Sequence, residues 1–300
     1  MAGSGQLLFD RRCRLTIANP IPGSFKDAQT FDVVEIDGGR AEAGRVGMRV
    51  KFKIDKTDKK EPNTSEVIVT NLSKARRASL QKNGVKVLLE AGYAGTGFAR
   101  YFVGDVRTTD HIKNGADMDT TMKLGDGERA WKFARVSESF SPKTLIKDAA
   151  KKIGTALGLG LGNLEAKLAD LTDTFEAGWV AHGSAATALD QIIVDMLGKT
   201  WSIQDGVIQV LDPYEVANLP IPELTPETGL IGSPEMGSPP SKGKPALLTV
   251  KGLLFPIKPG GKLKLRSERY DGFVRAHKVS FEGDTGGGDW YTTVEGTIIK

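Results

Sequence analysis

The sequence contains few of the residues on which cross-links and most catalytic or metal sites depend. It has one cysteine, Cys13, and three histidines among 300 residues. A single cysteine excludes an intramolecular disulfide, and with it the framework of small disulfide-rich secreted domains. The chain also lacks a large excess of either charge, because 41 basic and 37 acidic residues leave a formal net charge of only +4. No chain-wide basic field argues for nucleic acid, and we expect no specific nucleic-acid binding.

Long apolar runs are missing as well. The longest uncharged stretch in the middle of the chain, residues 153 to 164, has twelve residues. This is well below the roughly 20 residues that span a bilayer. The N-terminal string MAGSGQLLFDRRCR places an acid and arginines directly after two leucines, which is not typical of a signal peptide. We therefore expect a soluble protein, made and assembled in the cytoplasm, with no membrane partner.

The sequence does contain regular alternation, most clearly near its end. In residues 272 to 296 two alternating runs flank GDTGGGD, which predicts a β-hairpin with a glycine-rich tip. Strict alternation places His277, Val279 and Phe281 on one face of the first strand. Ala276 and Ser280 then belong to the opposite face. The second run predicts a shared face for Trp290, Thr292 and Val294.

Residues 6 to 106 also predict strands. The run MRVKFKIDK puts Val50, Phe52 and Ile54 on one face, and GVKVLLEAGY does the same for Val85, Val87 and Leu89. Between these runs, residues 73 to 84 predict a short helix ending at Asn83-Gly84. Its basic residues are Lys74, Arg76, Arg77 and Lys82. A solvated helix face explains this cluster better than phosphate contacts, because no interleaved aromatic residues offer a stacking platform.

Residues 107 to 140 predict further strands and turns, with a Gly-Asp-Gly turn between two alternating runs. A group of acids here invites a calcium interpretation: Asp117, Asp119, Asp126 and Glu128. A helix-loop-helix calcium site needs a ligand at its fifth position and glycine at its sixth. Those positions hold Thr121 and Met122, so turn acids are the better explanation. We expect no metal site and no cofactor.

At Ser141-Pro142 the period changes to that of a helix. Serine as N-cap and proline at the first helical position predict its start. The apolar residues then recur at three- and four-residue steps: Ile146, Ala149, Ala150, Ile153 and Leu157. The GLGLG that follows, residues 158 to 162, lacks the spacing of a dinucleotide loop and follows a helix instead of a strand. It predicts a flexible or helix-ending linker.

Residues 184 to 197 predict a second helix, ended by Gly198. Its apolar stripe comprises Leu189, Ile192, Ile193, Met196 and Leu197. The string Gly198-Lys199-Thr200 resembles the end of a phosphate loop, but the glycine required five residues earlier is Ile193. The next residues, WSIQ-DG-VIQV, predict a hairpin with Asp205-Gly206 at its turn. Proline-rich LPIPELTPETG then marks a domain edge, and residues 237 to 245 predict a second loop.

Residue sets that could form a catalytic group are scarce in the sequence. The histidines fall in a predicted loop, before a predicted helix and in the final hairpin: His111, His182 and His277. None lies in a zinc-protease or nucleophile-elbow motif. The most enzyme-like set joins His277 to Ser280 and to Asp284 or Asp289. Residues 277 and 280 point to opposite strand faces unless a bulge intervenes. We assign no catalytic, cofactor-binding or metal-binding residue and expect no enzymatic activity.

The residues alone therefore predict a mainly β protein with an α/β insert (α+β). The C-terminal string V-S-F-E-G-D-T followed by G-D-W-Y-T resembles the signature of baseplate or tail-tip hub proteins of long-tailed bacteriophages. Other segments stand in the order that family has: NLS (71 to 73), VKVLLEAGY (85 to 93), YFVGDV (101 to 106), TGLIGSPEM (228 to 236), VKGLLFPIKPGGKLKLRSE (250 to 268) and YDGFVRAHKV (270 to 279). The resemblance rests on order and spacing and covers about half of the chain.

The resemblance implies two tail-tube-like β-barrel domains flanking a small helical and hairpin domain. We place the first barrel at residues 1–140, the insert at 141–222 and the second barrel at 223–300, with strands borrowed from the first region. A homotrimer would then present six barrels, and so adapt a sixfold tail tube to a threefold central spike or tip. Implied partners are the tube, the spike, neighbouring baseplate proteins and the tape measure protein, which passes through the ring before the DNA. The implied location is the virion tail.

Two other functions remain open at this point. One is a virion-associated lytic or depolymerising enzyme that uses paired acids. The other is a carbohydrate-binding appendage module, whose mark would be exposed aromatic residues in a groove. Only 21 aromatic residues occur in the chain, and most lie at alternating strand positions typical of a core.

Overall fold

A computed structural model describes residues 10–20, 31–39, 47–81, 84–95, 97–237 and 246–299. Within these ranges the protein is mainly β, as predicted. The strands are β1 Arg11–Pro20, β2 Phe31–Gly39, β3 Val50–Thr57, β4 Thr64–Thr70, β5 Lys86–Tyr93, β6 Gly97–Asn114, β7 Asp117–Gly125, β8 Arg135–Phe140, β9 Trp179–Ser184, β10 Thr200–Gln204, β11 Val207–Leu211, β12 Glu223–Leu224, β13 Leu230–Met236, β14 Leu247–Leu253, β15 Lys262–Arg266, β16 Asp271–Asp284 and β17 Trp290–Ile299.

Helices are few and short in the described residues. They are α1 Lys74–Leu80, α2 Glu128–Phe133, α3 Ile146–Ala156, α4 Leu164–Lys167 and α5 Ala185–Asp190, with a π-helical segment at Gln191–Met196 and a 3₁₀ turn at Pro226–Thr228. None of them combines the length and the apolarity needed to cross a membrane. Helix α1 ends before the predicted stop, and Lys82 and Asn83 lie outside the described residues, as does most of the predicted loop 237 to 245.

The chain forms two compact units. The first draws on residues within 1–56, 64–124 and 218–300, and the second on 57–63 and 125–217. The division into two barrel domains and an insert stays a prediction.

One large, predominantly antiparallel sheet makes up the first unit. Its described strands follow the order β13-β14-β17-β16-β3-β4-β7-β6-β5-β1-β2. In addition, β15 pairs with β16, and β12 pairs with β15. The alternating residues predicted to be buried in β3 and β5 are buried. In β2, the last strand of this order, Gly38 forms a parallel bridge to Met48, and the Met48 N–H donates to the Asp37 carbonyl at 3.0 Å. Strand β2 therefore contacts the residues that directly precede β3.

Strand β16 joins the two ends of the chain. Its first half pairs with β15, from Arg266 opposite Asp271 to Lys262 opposite Arg275. Its far end reaches β3, where the Thr285 N–H donates to the Val50 carbonyl at 3.0 Å. From Phe273 to Gly283, except at the bulge, β16 pairs with β17, which confirms the predicted hairpin.

A β-bulge at His277 corrects the predicted faces of β16. Ala276 pairs with Gly296 and Lys278 pairs with Glu295, so His277 is the extra residue. One inserted residue switches every later side chain to the other face. Ala276 before the bulge and Val279 after it are therefore both buried, whereas strict alternation had separated them. On β17, Trp290, Thr292 and Val294 share one face as predicted, and all three are buried.

The second unit has its own apolar core. Helix α3 begins at Ile146, not at Pro142, because the residues before it pair with residues 173–175: the Lys143 N–H donates to the Phe175 carbonyl at 2.8 Å. The five apolar residues predicted for this helix are all buried. GLGLG ends the helix as predicted, and Gly160 then bridges to Val207. The predicted hairpin is also confirmed, with Ile203 opposite Ile208.

Two predictions in the second unit are wrong in part. The alternating run after the Gly-Asp-Gly turn begins as helix α2, and Trp131 of this helix packs against Trp201 with ring centroids 5.5 Å apart. The predicted second helix continues past α5 as a π-helix, and its apolar stripe is buried only as far as Ile193, because Met196 is 40% exposed. Tertiary packing overrides the local pattern at both places.

Candidate assembly surface

The three histidines all lie on β-strands. His111 lies on β6, not in a loop, with Nδ1 3.3 Å from the Thr120 hydroxyl. His182 lies on β9 and is exposed, opposite Ser137.

The His277 set does not form a catalytic triad, although the required bulge is present. His277 Nε2 is 2.9 Å from the Thr297 hydroxyl. The Ser280 hydroxyl donates its single proton to Asp55 Oδ1 at 2.6 Å, so it cannot also donate to the imidazole. Asp284 accepts from the Arg49 guanidinium at 2.7 and 3.0 Å. Asp289 lies just before β17, where its carbonyl accepts the Asp284 N–H.

The acidic residues considered as calcium ligands instead form hydrogen bonds or ion pairs with other parts of the protein. Among the described residues no group of three or more His, Cys, Asp or Glu could hold a metal ion. The Asp126 carboxylate accepts the N–H groups of Asp205 and Gly206 at 2.6 and 2.7 Å, which anchors the turn of the β10–β11 hairpin. Asp117 accepts from Asn71 and Asp119 from Thr70. Glu128 pairs with Lys132 one turn later in α2.

Two cavities in the described parts of the chain are small for an organic ligand. One of about 120 Å³ is lined by Lys60, Trp131 and Asp190, and one of about 230 Å³ by Lys51, Ile68 and other residues of the first sheet. Ligand pockets commonly measure about 300 to 1,000 Å³. Neither of these two cavities reaches that range.

Charged side chains on the first sheet are offset by partners across the strands. The ion pairs join β3 to β16, β15 to β16 and β16 to β17: Lys53–Glu282 at 3.0 Å, Lys264–Asp271 at 2.5 Å and Lys278–Glu295 at 2.7 Å. Lysines paired with carboxylates release few counterions from a nucleic acid. These three pairs therefore add little net charge to the sheet surface.

The edge strand β13 is the clearest candidate for contact with another protein. It ends the strand order, and in the described part of the chain only β14 pairs with it. Ile231 and Met236 on β13 and Leu247 on β14 are 36%, 56% and 38% exposed. Pro234 and a register shift interrupt the middle of this edge, which blunts unspecific strand pairing. The edge thus combines apolar side chains with restricted pairing, as a specific interface requires.

No family model and no curated protein matches the sequence. Solved structures do match. The tail protein of Neisseria meningitidis MC58 gives a TM-score of 0.59 at 10% identity, covering 94% of this chain and 96% of that chain. The 43 kDa tail protein of prophage MuSo2 from Shewanella oneidensis gives 0.60 at 8% identity, covering 95% and 96%. This chain has the fold of phage tail proteins.

A third match extends the fold to a secretion apparatus. An Escherichia coli component of the type VI secretion system, described as structurally similar to the T4 tail proteins gp27 and gp5, gives a TM-score of 0.55 at 9% identity, covering 84% of this chain and 74% of that chain. The tail-protein fold is thus common to phage tails and to this secretion system. The sequence did not single out the β13 edge or the Asp126 joint, although Pro234 within an alternating segment was a signal for an edge strand.

Proposed function

We propose that this chain is a structural hub of a phage tail baseplate or tip. Three copies form a ring that adapts a sixfold tail tube to a threefold central spike, and the ring lets the tape measure protein and the DNA pass. The observation that carries the proposal is the fold: two tail proteins match over 94% and 95% of this chain and 96% of their own lengths. The order of the C-terminal segments within the sequence supports it further.

The architecture of the first unit is consistent with two barrels that share a strand. Strand β16 pairs with β15 in its first half and reaches β3 in its second half. One group of strands, in the order β3-β4-β7-β6-β5-β1-β2, returns on itself through the Gly38–Met48 bridge. The other group follows the order β12-β15-β16-β17-β14-β13. Its two end strands, β12 and β13, are joined by a short turn in which the Leu230 N–H donates to the Thr225 carbonyl at 2.9 Å. A bulge at the shared strand lets one strand serve two curved sheets.

The β13 edge supplies the joint between neighbours in this proposal. Addition of a strand to a sheet edge gives main-chain hydrogen bonds, and exposed apolar side chains give the added contact its specificity. The offset charges of the sheet suit a channel that nucleic acid must traverse without being held.

The test is the particle symmetry of the purified protein, measured by native mass spectrometry together with two-dimensional class averages. We expect a ring with a central hole and a mass of about 97 kDa, three times the 32.2 kDa chain. Addition of tail tube protein should cap this ring on one side. A chain that stays monomeric with and without tube protein, or that hydrolyses cell wall or polysaccharide, would contradict the hub proposal in favour of an appendage module or a lytic enzyme.

A further inference from the structure

The tip of the β6–β7 hairpin carries an asparagine followed by a glycine. Strand β6 ends at Asn114 and β7 begins at Asp117, so Gly115 and Ala116 form a two-residue turn. Gly115 has φ +63°, a conformation that glycine adopts without steric cost at the first position of a tight hairpin turn. Asn114 and Gly115 are both exposed. The turn therefore presents an Asn-Gly peptide bond to water.

Neither the Asn114 side chain nor the Gly115 N–H is held in place. Within the residues that the structure describes, the Asn114 amide forms no hydrogen bond. Over the same ranges, the Gly115 N–H meets no backbone acceptor. A Cβ added at Gly115 would have no atom within 4 Å, so nothing crowds the space beside the turn. The Gly115 nitrogen and the Asn114 Cγ atom are therefore free to approach each other.

Three other asparagines are fixed by hydrogen bonds at both polar atoms of the side chain. They are Asn63, Asn71 and Asn163. Asn71, for example, donates from its amide to Asp117 Oδ1 at 2.8 Å and accepts the Met118 N–H at 2.9 Å. Rotation of such a side chain towards the next peptide nitrogen breaks these bonds, so their cost opposes the approach.

The residue that follows each remaining asparagine separates these positions further. Asn19 precedes proline, which has no N–H, and Asn218 precedes leucine, whose side chain crowds the peptide nitrogen. Asn83 also precedes glycine, but it lies outside the described residues. Among the asparagines that the structure describes, Asn114 thus combines an unheld side chain with a following glycine.

We propose that Asn114 is a site of spontaneous deamidation. Hydroxide removes the proton from the Gly115 nitrogen, which attacks Asn114 Cγ. The bond from Cγ to the side-chain nitrogen breaks, and this nitrogen takes a proton from water, so ammonia leaves, hydroxide is regenerated and a cyclic succinimide remains. Water then opens the ring at one of its two carbonyl groups. One opening gives aspartate, and the other gives isoaspartate, in which the main chain runs through the former side chain.

Either product changes the tip of the hairpin. Both add a carboxylate at position 114, which the two-residue turn places opposite Asp117. Like charges directly opposite each other on paired strands are destabilising. Isoaspartate also lengthens the main chain by one carbon, which disturbs the register of β6 with β7. The end of the hairpin should therefore open more readily after the reaction. The inference does not depend on the hub proposal.

Peptide mapping by mass spectrometry tests the site. The folded protein is incubated at mildly alkaline pH, digested with trypsin and compared with fresh protein treated in parallel. Trypsin places Asn114 in peptide 114–123, Asn83 in peptide 83–86, and the hydrogen-bonded Asn63 and Asn71 together in peptide 61–74. We expect peptide 114–123 to gain about 1 Da and to split into aspartate and isoaspartate forms. Peptide 61–74 should convert about tenfold more slowly or less.

The same incubation in urea supplies the reference for an unfolded chain. If peptide 114–123 gains mass in urea but keeps its mass in the folded protein, the turn protects Asn114 and the proposal is overturned. A gain in the folded protein that is confined to peptide 83–86 overturns it as well. Asn114→Gln should abolish the gain in peptide 114–123 and leave peptide 83–86 unaffected.

Hydrogen exchange tests the effect on the hairpin. The Met118 N–H, which donates to Asn71 Oδ1, should exchange faster in incubated than in fresh protein. Asn114→Gln is the matched control, because it keeps an uncharged amide at the same position, and incubation should leave its exchange unchanged. If incubation speeds exchange equally in both proteins, the assigned cause is wrong.

Discussion

The first unit is assembled from strands that are far apart in the sequence. In the second unit, buried polar side chains form hydrogen bonds that anchor the β10–β11 hairpin. In the first unit, Ser280 on β16 bonds Asp55 on β3 across 225 residues, over a core of aliphatic and aromatic side chains. In the second unit, the Asn63 amide donates to the Ile203 carbonyl at 2.7 Å, and Asp126 holds the Asp205-Gly206 turn. Both units combine an apolar core with buried polar groups, but the first is held by pairing between distant strands and the second by side chains that anchor a turn.

The largest effect should come from Trp290→Ala in the first unit. Trp290 is fully buried, with its ring edge-on to Phe52 at 5.5 Å and to Tyr93 at 6.4 Å. We expect a loss of about 3 to 5 kcal/mol in the free energy of unfolding, measured by chemical denaturation with circular dichroism. The exposed Phe133→Ala should change it by less than about 0.5 kcal/mol. Unchanged stability with abolished assembly would show that Trp290 is not a packing residue.

Asp126→Ala should affect the second unit alone. The substitution leaves two N–H groups, of Asp205 and Gly206, without their acceptor, and we expect a cost of about 3 kcal/mol. Hydrogen exchange should show loss of protection in the β10–β11 hairpin before β3 or β16 changes. The exposed Asp170→Ala serves as the control. Equal loss of hydrogen-exchange protection in both units would contradict the prediction that Asp126 stabilises the second unit alone.

Gly283→Ala tests how tightly β16 is fitted to β3. The added methyl would meet the Phe52 ring, and overpacking of this kind costs about 2 kcal/mol. Replacing the ring as well, in Phe52→Leu with Gly283→Ala, should recover part of the loss in the same denaturation experiment. If the double variant is less stable than the sum of the single effects, the clash is not the cause.

The smallest effect concerns the Arg49–Asp284 pair of the first unit. Burial raises the pKa of Asp284, but the Arg49 hydrogen bond, the Gly286 N–H and the nearby charges outweigh it, so the pKa is lowered. A lowered carboxyl pKa contributes stability above the unfolded value of about 3.9, and this is lost as the pH falls through the folded value. Asp284→Asn should therefore cost about 1 kcal/mol at neutral pH.

The pH dependence of this difference is the measurement. The gap between the unmodified chain and Asp284→Asn should be constant from about pH 6 to 8, begin to shrink as the pH approaches the unfolded value of about 3.9, and close only below the lowered folded pKa. Glu268→Gln, at an exposed position, should differ from the unmodified chain at no pH. A gap that widens in acid would contradict the sign of the pKa shift.

Local features were predictable from the sequence and long-range ones were not. The Asp205-Gly206 turn is set by two adjacent residues, and the Trp290 face is set by alternation within one strand. The bulge at His277 was not predictable, because it arises where β16 must pair with β15 and β3 on the same edge. Asp126 was recognised only as a turn acid, since the amides it binds lie about 80 residues away.

The late position of β16 in the chain has a consequence for synthesis on the ribosome. Strand β3 leaves the ribosome more than 200 residues before the part of β16 that covers it. Throughout that interval the nascent sheet exposes the edge and apolar face of β3, which are prone to pair with other chains. Closing so long a loop also slows the final step of folding. The yield of native protein should therefore depend on translation speed and chaperone supply more than on the stability finally reached.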